Sequence, residues 1–75
     1  MSMGWEPLTW EATFALAKAL REAHPHADLE AVSLGQIQAW ILALPDFDDD
    51  PALANDDILL DVYREWLEMT LEEQG

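Results

Sequence analysis

The chain has 75 residues, 51% of them apolar, with four tryptophans and no cysteine. This length and composition predict one small domain with a compact core, and the absence of cysteine excludes disulfides, thiolate metal ligands and a cysteine nucleophile. A net charge of −13 would repel nucleic acids and anionic lipids and would attract cations and basic protein surfaces. No apolar run reaches the length of about 18 residues that a membrane span needs, and no signal peptide is recognisable. We therefore expect a cytoplasmic monomer that binds neither nucleic acid nor membrane.

The negative charge is concentrated in the second half of the chain. Residues 1–45 carry five acidic and two basic side chains, a charge of −3, whereas residues 46–75 carry eleven acidic side chains and one arginine, a charge of −10. The change begins in the sequence Leu-Pro-Asp-Phe-Asp-Asp-Asp-Pro, in which residues 46–50, the acidic loop, hold four carboxylates. We interpret this loop and the helix that follows it as the functional surface.

A first helix is predicted at residues 9–24. Thr9 is expected to cap its N-terminus, and apolar residues recur at helical spacing from Trp10 onwards. His24 is followed by Pro25, and the helix is expected to end there because the residue before a proline is disfavoured in the α conformation.

Two further helices are predicted at residues 33–44 and 55–72. Ser33 and Gln36 form a capping box at the start of the second helix. Asn55 is expected to cap the last helix, whose first turn is acidic and therefore suits the helix dipole.

The predicted fold class is all-α, because no segment alternates with the period of a strand. One helical domain is expected at residues 9–75, after a flexible N-terminus at residues 1–8. The predicted core comprises Leu16, Leu20, Ile37, Trp40, Ile41, Leu44, Phe47, Ile58, Val62 and Trp66. The apolar arc of the last helix is expected to be widened by Leu60, Tyr63, Leu67 and Leu71. Burial of Phe47 would anchor the acidic loop to this core.

One face of the last helix gathers carboxylates within an arc of roughly 80°, at about 100° per residue. These residues are Asp57, Asp61, Glu65, Glu68 and Glu72. Like charges at this spacing repel one another by about a few tenths of a kcal/mol per pair. A face that tolerates this repulsion indicates a positively charged partner. The alternative is the ordinary solvated face of an amphipathic helix.

The acidic loop supplies hard oxygen ligands, which suit calcium, magnesium, manganese or weakly held iron. An EF-hand is excluded, because Pro51 stands where that loop needs glycine and Asp57 where it needs glutamate. A solvated acidic turn is the alternative. His24 and His26 are a weaker candidate for metal ligation, since a histidine at a helix C-terminus already suits the dipole. No catalytic group is indicated. Of the two serines, Ser2 is terminal and Ser33 is better used as a helix cap, and no apolar pocket is implied that would split the pKa values of paired carboxylates.

The motifs at fixed spacing are more specific than the charge pattern. The most specific is Trp40-Ile41-x-x-Leu44-x-x-Phe47-Asp48-Asp49-Asp50-Pro51. Around it stand Trp10, His24-Pro25, Asp28, Val32, Asn55, Ile58-Leu59 and Trp66-Leu67. This ordered set, which runs without gaps from Trp10 to about Glu68, resembles the IscX (YfhJ) family of small acidic accessory proteins of bacterial iron–sulfur cluster assembly.

The resemblance implies a modified winged-helix-like, mostly helical domain without catalytic activity. It implies binding to the cysteine desulfurase of the assembly machinery, at a basic surface that frataxin also uses, and weak binding of iron by surface carboxylates. The chain departs from the family pattern at Gln38, where a histidine is usual, and at Leu60, where a glutamate is expected. Three basic residues are too few for the DNA binding that a winged helix would otherwise suggest.

We therefore expect an iron–sulfur assembly adaptor that binds a cysteine desulfurase, with other iron–sulfur assembly proteins as a second class of partner. An acidic regulator of another basic protein and a low-affinity metal carrier are the alternatives. The predicted partner surface, here named the acidic face, consists of Asp48, Asp49, Asp50, Asp57, Asp61, Glu65, Glu68 and Glu72. No tightly bound cofactor is expected, and the ligands predicted for weakly bound Fe²⁺ are Asp46, Asp48, Asp49, Asp50, Asp57, Asp61 and Glu65. Reversing the charges of Asp49 and Asp50 is expected to leave the fold intact.

Overall fold

A computed structural model describes residues 8–74, which fold into three α-helices. These are α1 (Thr13–Ala23), α2 (Leu34–Leu42) and α3 (Asp56–Gln74), and a short 3₁₀ turn lies at Pro51–Leu53. The helix α3 packs mainly against α1 and also against α2, so the predicted, mainly helical fold class is confirmed. None of the described helices combines the length and the apolar composition that crossing a membrane requires.

Two predicted helix starts are confirmed by hydrogen bonds. The Gln36 backbone N–H donates to the Ser33 hydroxyl oxygen at 3.1 Å, and the Ile58 backbone N–H donates to the Asn55 side-chain oxygen at 2.9 Å. Each bond satisfies a backbone donor that a helix N-terminus otherwise leaves unpaired. The predicted C-terminus of α1 is also correct, since His24 follows its last residue.

The predicted start of α1 is wrong, because the helix begins at Thr13 rather than near Thr9, and no side chain caps it. The Trp10 backbone N–H donates instead to the Asp49 carboxylate at 3.1 Å, and the Trp10 indole N–H donates to the Asp50 carbonyl oxygen at 2.7 Å. Residues 9–12 therefore form a turn, in which the Ala12 N–H donates to the Thr9 carbonyl oxygen at 3.0 Å. Contacts with the distant loop override the local capping preference.

The core lies between the three helices. Its buried apolar residues are Trp10, Leu16, Ala17, Leu20, Leu29, Ile37, Ile41, Leu59, Val62, Trp66 and Met69. The predicted core residues Trp40, Leu44, Phe47 and Ile58 are half-buried and pack around it. The aromatic centre is the pair Trp40 and Trp66, whose ring centroids are 6.1 Å apart in an edge-to-face arrangement.

The apolar arc of α3 is narrower than predicted. Leu60 is 42% exposed and Leu71 is 58% exposed, so neither belongs to the core. Tyr63 and Leu67 are half-buried against it. At about 100° per residue, both leucines lie roughly 120° or more around the helix from the buried Val62 and Trp66, beside the carboxylates that face solvent.

The predicted flexible N-terminus lies outside the described residues except for Leu8. Leu8 is half-buried and packs against the core, and its backbone is paired with the acidic loop.

Candidate functional site

The acidic loop is fixed to the start of the described chain by main-chain pairing. The Leu8 N–H donates to the Asp46 carbonyl oxygen at 2.9 Å, and the Asp48 N–H donates to the Leu8 carbonyl oxygen at 2.9 Å. These two bonds form a parallel bridge between Leu8 and Phe47. The Phe47 ring packs edge-to-face on Trp10 with centroids 4.8 Å apart. The predicted anchoring of the loop through Phe47 is therefore confirmed.

Two carboxylates of the acidic loop hold its shape. One oxygen of Asp49 accepts a bond from the Asp50 N–H at 2.7 Å, and the other accepts from the Trp10 N–H at 3.1 Å. The Asp50 carboxylate accepts from the Ala52 N–H at 2.9 Å and thereby caps the 3₁₀ turn. These bonds argue against the expectation that charge reversal at Asp49 and Asp50 leaves the fold intact, because a lysine cannot accept them.

Replacing Asp49 by alanine is expected to lower the free energy of unfolding by about 1.5–3 kcal/mol, the usual value of hydrogen bonds to a charged group. The matched control is Asp48→Ala, which removes the same charge from an exposed loop position and should change stability by less than about 0.5 kcal/mol. Urea unfolding followed by circular dichroism measures both variants. Equal midpoints for the two variants would contradict the structural role of Asp49.

The carboxylates of α3 lie on its outer side as predicted. Asp57, Asp61, Glu68 and Glu72 are exposed, and Glu65 is half-buried. Three of them meet at an open groove of about 320 Å³, here named the carboxylate groove, which is lined by Thr13, Asp61, Arg64, Glu65 and Glu68. The structure does not place the acidic loop, Asp57 or Glu72 in the lining of this groove.

The carboxylate groove contains two residues that the sequence reasoning missed. The Arg64 guanidinium lies 3.3 Å from the Asp61 carboxylate, and its spacing of three and four residues from Asp61 and Glu68 would have placed it on this face. Thr13 comes from α1, and no sequence signal indicated its position. With three carboxylates against one guanidinium, the groove keeps an excess of negative charge, which favours a cationic partner group.

The predicted metal ligands do not converge. Among the side chains that the structure describes, no three from histidine, aspartate and glutamate are grouped closely enough to hold a metal ion. Asp49 and Asp50 already accept backbone hydrogen bonds. The remaining carboxylates offer the oxygen donors that hard cations prefer.

His24 serves in packing. Its ring stacks on Trp40 with centroids 4.0 Å apart and an interplanar angle of 20°, while its backbone N–H donates to the Leu20 carbonyl oxygen at 2.8 Å. His26 is exposed. The pair therefore has unequal environments, although their sequence positions suggested a shared role.

Replacing His24 by alanine is expected to lower the melting temperature by roughly 4–8 °C, because a stacked aromatic pair contributes about 1 kcal/mol to stability in a domain of this size. The backbone bond at the end of α1 is retained in this variant. His26→Ala is the matched control, and its melting temperature should equal that of the unmodified protein. Differential scanning calorimetry makes the comparison, and equal losses in both variants would show that the stacking does not stabilise the fold.

The chain is similar to known proteins over most of its length. The profile of the family described as "Iron-sulphur cluster assembly" matches residues 8–70, a range that spans the acidic loop and the carboxylate groove. The chain is also similar to "Uncharacterized protein PA3808" of Pseudomonas aeruginosa, with 30% identity over 61 residues, covering 81% of this chain and 92% of that protein. The chain therefore belongs to the iron–sulphur cluster assembly family, the IscX (YfhJ) family that its motifs resemble, and takes part in iron–sulfur cluster assembly.

Proposed function

We propose that the protein is a non-catalytic accessory protein that binds a cysteine desulfurase through its acidic face. The observation that carries this proposal is the fixed display of like charge. The acidic loop is bonded to Leu8 and Trp10, and the remaining carboxylates of the face project from α3. A predominantly negative surface on a backbone that is already fixed loses little backbone freedom on binding and steers a basic partner into one orientation.

Self-repulsion on the acidic face supports a basic partner. Arg64 is the one cationic group in the lining of the carboxylate groove, and it is bonded to Asp61. Lysine or arginine side chains from a partner would relieve the repulsion between the remaining carboxylates. Exposed charge pairs contribute mainly to association rate and specificity, which suits an accessory protein that binds reversibly.

Calorimetry with a purified cysteine desulfurase, at about 0.1 M and about 1 M salt, tests the proposal. Binding is expected at low salt and should weaken strongly at high salt, because the Debye length falls from about 10 Å to about 3 Å. Absence of binding at low salt would exclude the desulfurase as the partner. A basic protein of another kind that binds the acidic face under the same conditions would instead support the role of a general acidic regulator.

Weak binding of Fe²⁺ as cargo is part of the same proposal. Iron titration is expected to broaden the amide signals of the acidic loop and of α3 residues near Asp57, Asp61 and Glu65. Manganese and calcium should compete with iron for these carboxylates, because surfaces with only oxygen ligands discriminate poorly between hard cations. Calcium, which is diamagnetic, should therefore restore the broadened signals. Broadening centred on His24 and His26, or saturation at one tight site, would contradict this assignment.

We propose that the helices adopt the modified winged-helix arrangement that the family resemblance implies, and that the protein acts in the cytoplasm. An experimental structure superposed on winged-helix domains tests the first statement, and cell fractionation tests the second.

A further inference from the structure

A second groove runs along the C-terminal half of α3. It has a volume of about 250 Å³ and shares no lining residue with the carboxylate groove. At about 100° per residue, Leu67 and Thr70 project from the opposite flank of α3 to Glu65. This cavity is here named the leucine groove. Its lining residues are Ala27, Asp28, Leu29, Glu30, Leu67, Thr70 and Leu71.

The leucine groove is already formed in the free protein. The Tyr63 hydroxyl donates to the Leu29 carbonyl oxygen at 2.9 Å, which ties the turn after α1 to α3. The Asp28 carboxylate accepts from the Glu30 N–H at 3.0 Å, and the Thr70 hydroxyl donates to the Trp66 carbonyl oxygen at 3.1 Å. Since these bonds fix the walls, little ordering would be needed when a ligand binds.

The surface offered by the groove is largely apolar. Leu71 is 58% exposed, Leu67 and Ala27 are half-buried, and the Thr70 hydroxyl is already bonded to the helix. A single exposed leucine needs no explanation, but a leucine that forms the wall of a preformed groove offers an anchoring point for a partner. The volume of about 250 Å³ lies just below the roughly 300–1,000 Å³ of small-molecule pockets, and it suits one or two side chains.

The negative charge around the leucine groove favours a cationic partner. Asp28 and Glu30 are exposed and belong to the lining, and the chain carries a net charge of −13. A second copy of this chain would bring the same acidic residues and the same net charge, and would be repelled. Nucleic acids and anionic membranes would be repelled for the same reason. A cationic peptide segment with an aliphatic side chain satisfies both the apolar wall and the acidic residues beside it.

We propose that the leucine groove binds an amphipathic, basic helical segment of a partner protein, with a leucine-type side chain inserted beside Leu71 and lysine or arginine side chains near Asp28 and Glu30. Helices that dock in grooves use aliphatic anchors spaced three and four residues apart, and charged residues beside the anchors set the orientation. This second binding surface goes beyond the proposed desulfurase contact and does not rest on it. It would allow the protein to hold two partners at once.

A synthetic amphipathic helix of leucine and lysine, about 14 residues long, is the probe. A second peptide in which every leucine is replaced by serine has the same charge and is the control probe. With isotope-labelled protein, the leucine peptide is expected to shift the amide signals of residues 27–30 and 67–71. The serine peptide should leave these signals unchanged and produce only small, salt-sensitive shifts on the acidic face.

Substitutions then separate the groove from general charge attraction. Leu71→Asp should weaken binding of the leucine peptide by about tenfold or more. Leu53→Asp is the matched control, because Leu53 is 56% exposed and lies outside the groove, and the substitution adds the same charge. The affinity of this variant for the leucine peptide should stay within about twofold of that of the unmodified protein. Leu71→Ser adds no charge and should also weaken binding, and circular dichroism verifies that every variant is folded.

Three results would overturn the proposal. The first is equal affinity for the leucine and serine peptides, and the second is an unchanged affinity in both Leu71 variants. The third is a set of groove signals that shift with protein concentration alone, or on addition of uncharged phosphatidylcholine vesicles, which would assign the groove to a second copy of the chain or to a lipid surface.

Discussion

Replacing Trp66 by alanine is expected to lower the free energy of unfolding by about 3–5 kcal/mol, the usual cost of truncating a buried aromatic side chain. Trp66 is 2% exposed and lies in the core between helices, with Trp40 against it at 6.1 Å. A domain of this size has a total stability of only about 4–11 kcal/mol. The variant should therefore be largely unfolded or close to its melting transition at 37 °C.

The matched control for Trp66 is on the same helix. Leu60 is 42% exposed, and Leu60→Ala should change stability by less than about 0.5 kcal/mol. Thermal and urea unfolding followed by circular dichroism measures both, and Trp66→Phe should recover a large part of the lost stability. A melting temperature that is unchanged in Trp66→Ala would mean that the core is not organised around this tryptophan.

The features that the sequence predicted correctly depend on neighbours along the chain. The caps at Ser33 and Asn55 involve a side chain and a backbone N–H three residues later, so composition and spacing are enough to identify them. The same holds for the end of α1 before Pro25, where a steric rule acts between adjacent residues. The carboxylates of α3 were placed on its outer side because helical periodicity determines that side.

The features that the sequence missed depend on distant contacts. The Asp49 carboxylate accepts a hydrogen bond from the backbone N–H of Trp10, which is 39 residues away. Because of this bond α1 begins later than predicted, and a charged loop residue has a structural role. Leu29 is buried although it lies in a turn. The Tyr63 hydroxyl of α3 donates to the Leu29 carbonyl oxygen, and this bond holds the turn against the helix.

This division applies to the candidate site as well. Charge composition located the acidic face, since eleven acids and one arginine follow residue 45. It did not separate residues that are free to meet a partner from those that hold the loop, such as Asp49. This distinction decides which substitutions can test the function. A variant that unfolds the loop would lose binding through the loss of structure, and the result would not show whether the substituted side chain contacts the partner.

Charge reversal on α3 is expected to give the largest loss of desulfurase binding without unfolding the protein. The double variant Asp61→Lys with Glu68→Lys changes two exposed lining residues of the carboxylate groove. It avoids Asp49, which holds the loop, and Glu65, which is half-buried. Each substitution replaces attraction to a basic partner by repulsion, so affinity at about 0.1 M salt should fall by at least roughly tenfold.

The stability of this double variant should change little. Asp61→Lys loses an exposed ion pair with Arg64 at 3.3 Å, and such pairs contribute about 0–1 kcal/mol. The loss is offset because the repulsion of Asp61 and Glu68 with the half-buried Glu65 is removed. Unfolding by urea should therefore give a midpoint close to that of the unmodified protein, and a large decrease would disqualify the variant as a probe of binding.

The matched control is Glu11→Lys with Glu22→Lys, which changes the net charge by the same amount at two exposed positions of the α1 region. If binding depended only on total charge, both double variants would lose affinity equally. The proposed docking through the acidic face requires a much larger loss for the α3 variant, and the difference should shrink at about 1 M salt because the charges are then screened. Calorimetry with the purified desulfurase at both salt concentrations measures this. Binding that survives reversal on α3 but is lost on reversal of Glu11 and Glu22 would place the interface beside α1 and exclude the α3 part of the acidic face.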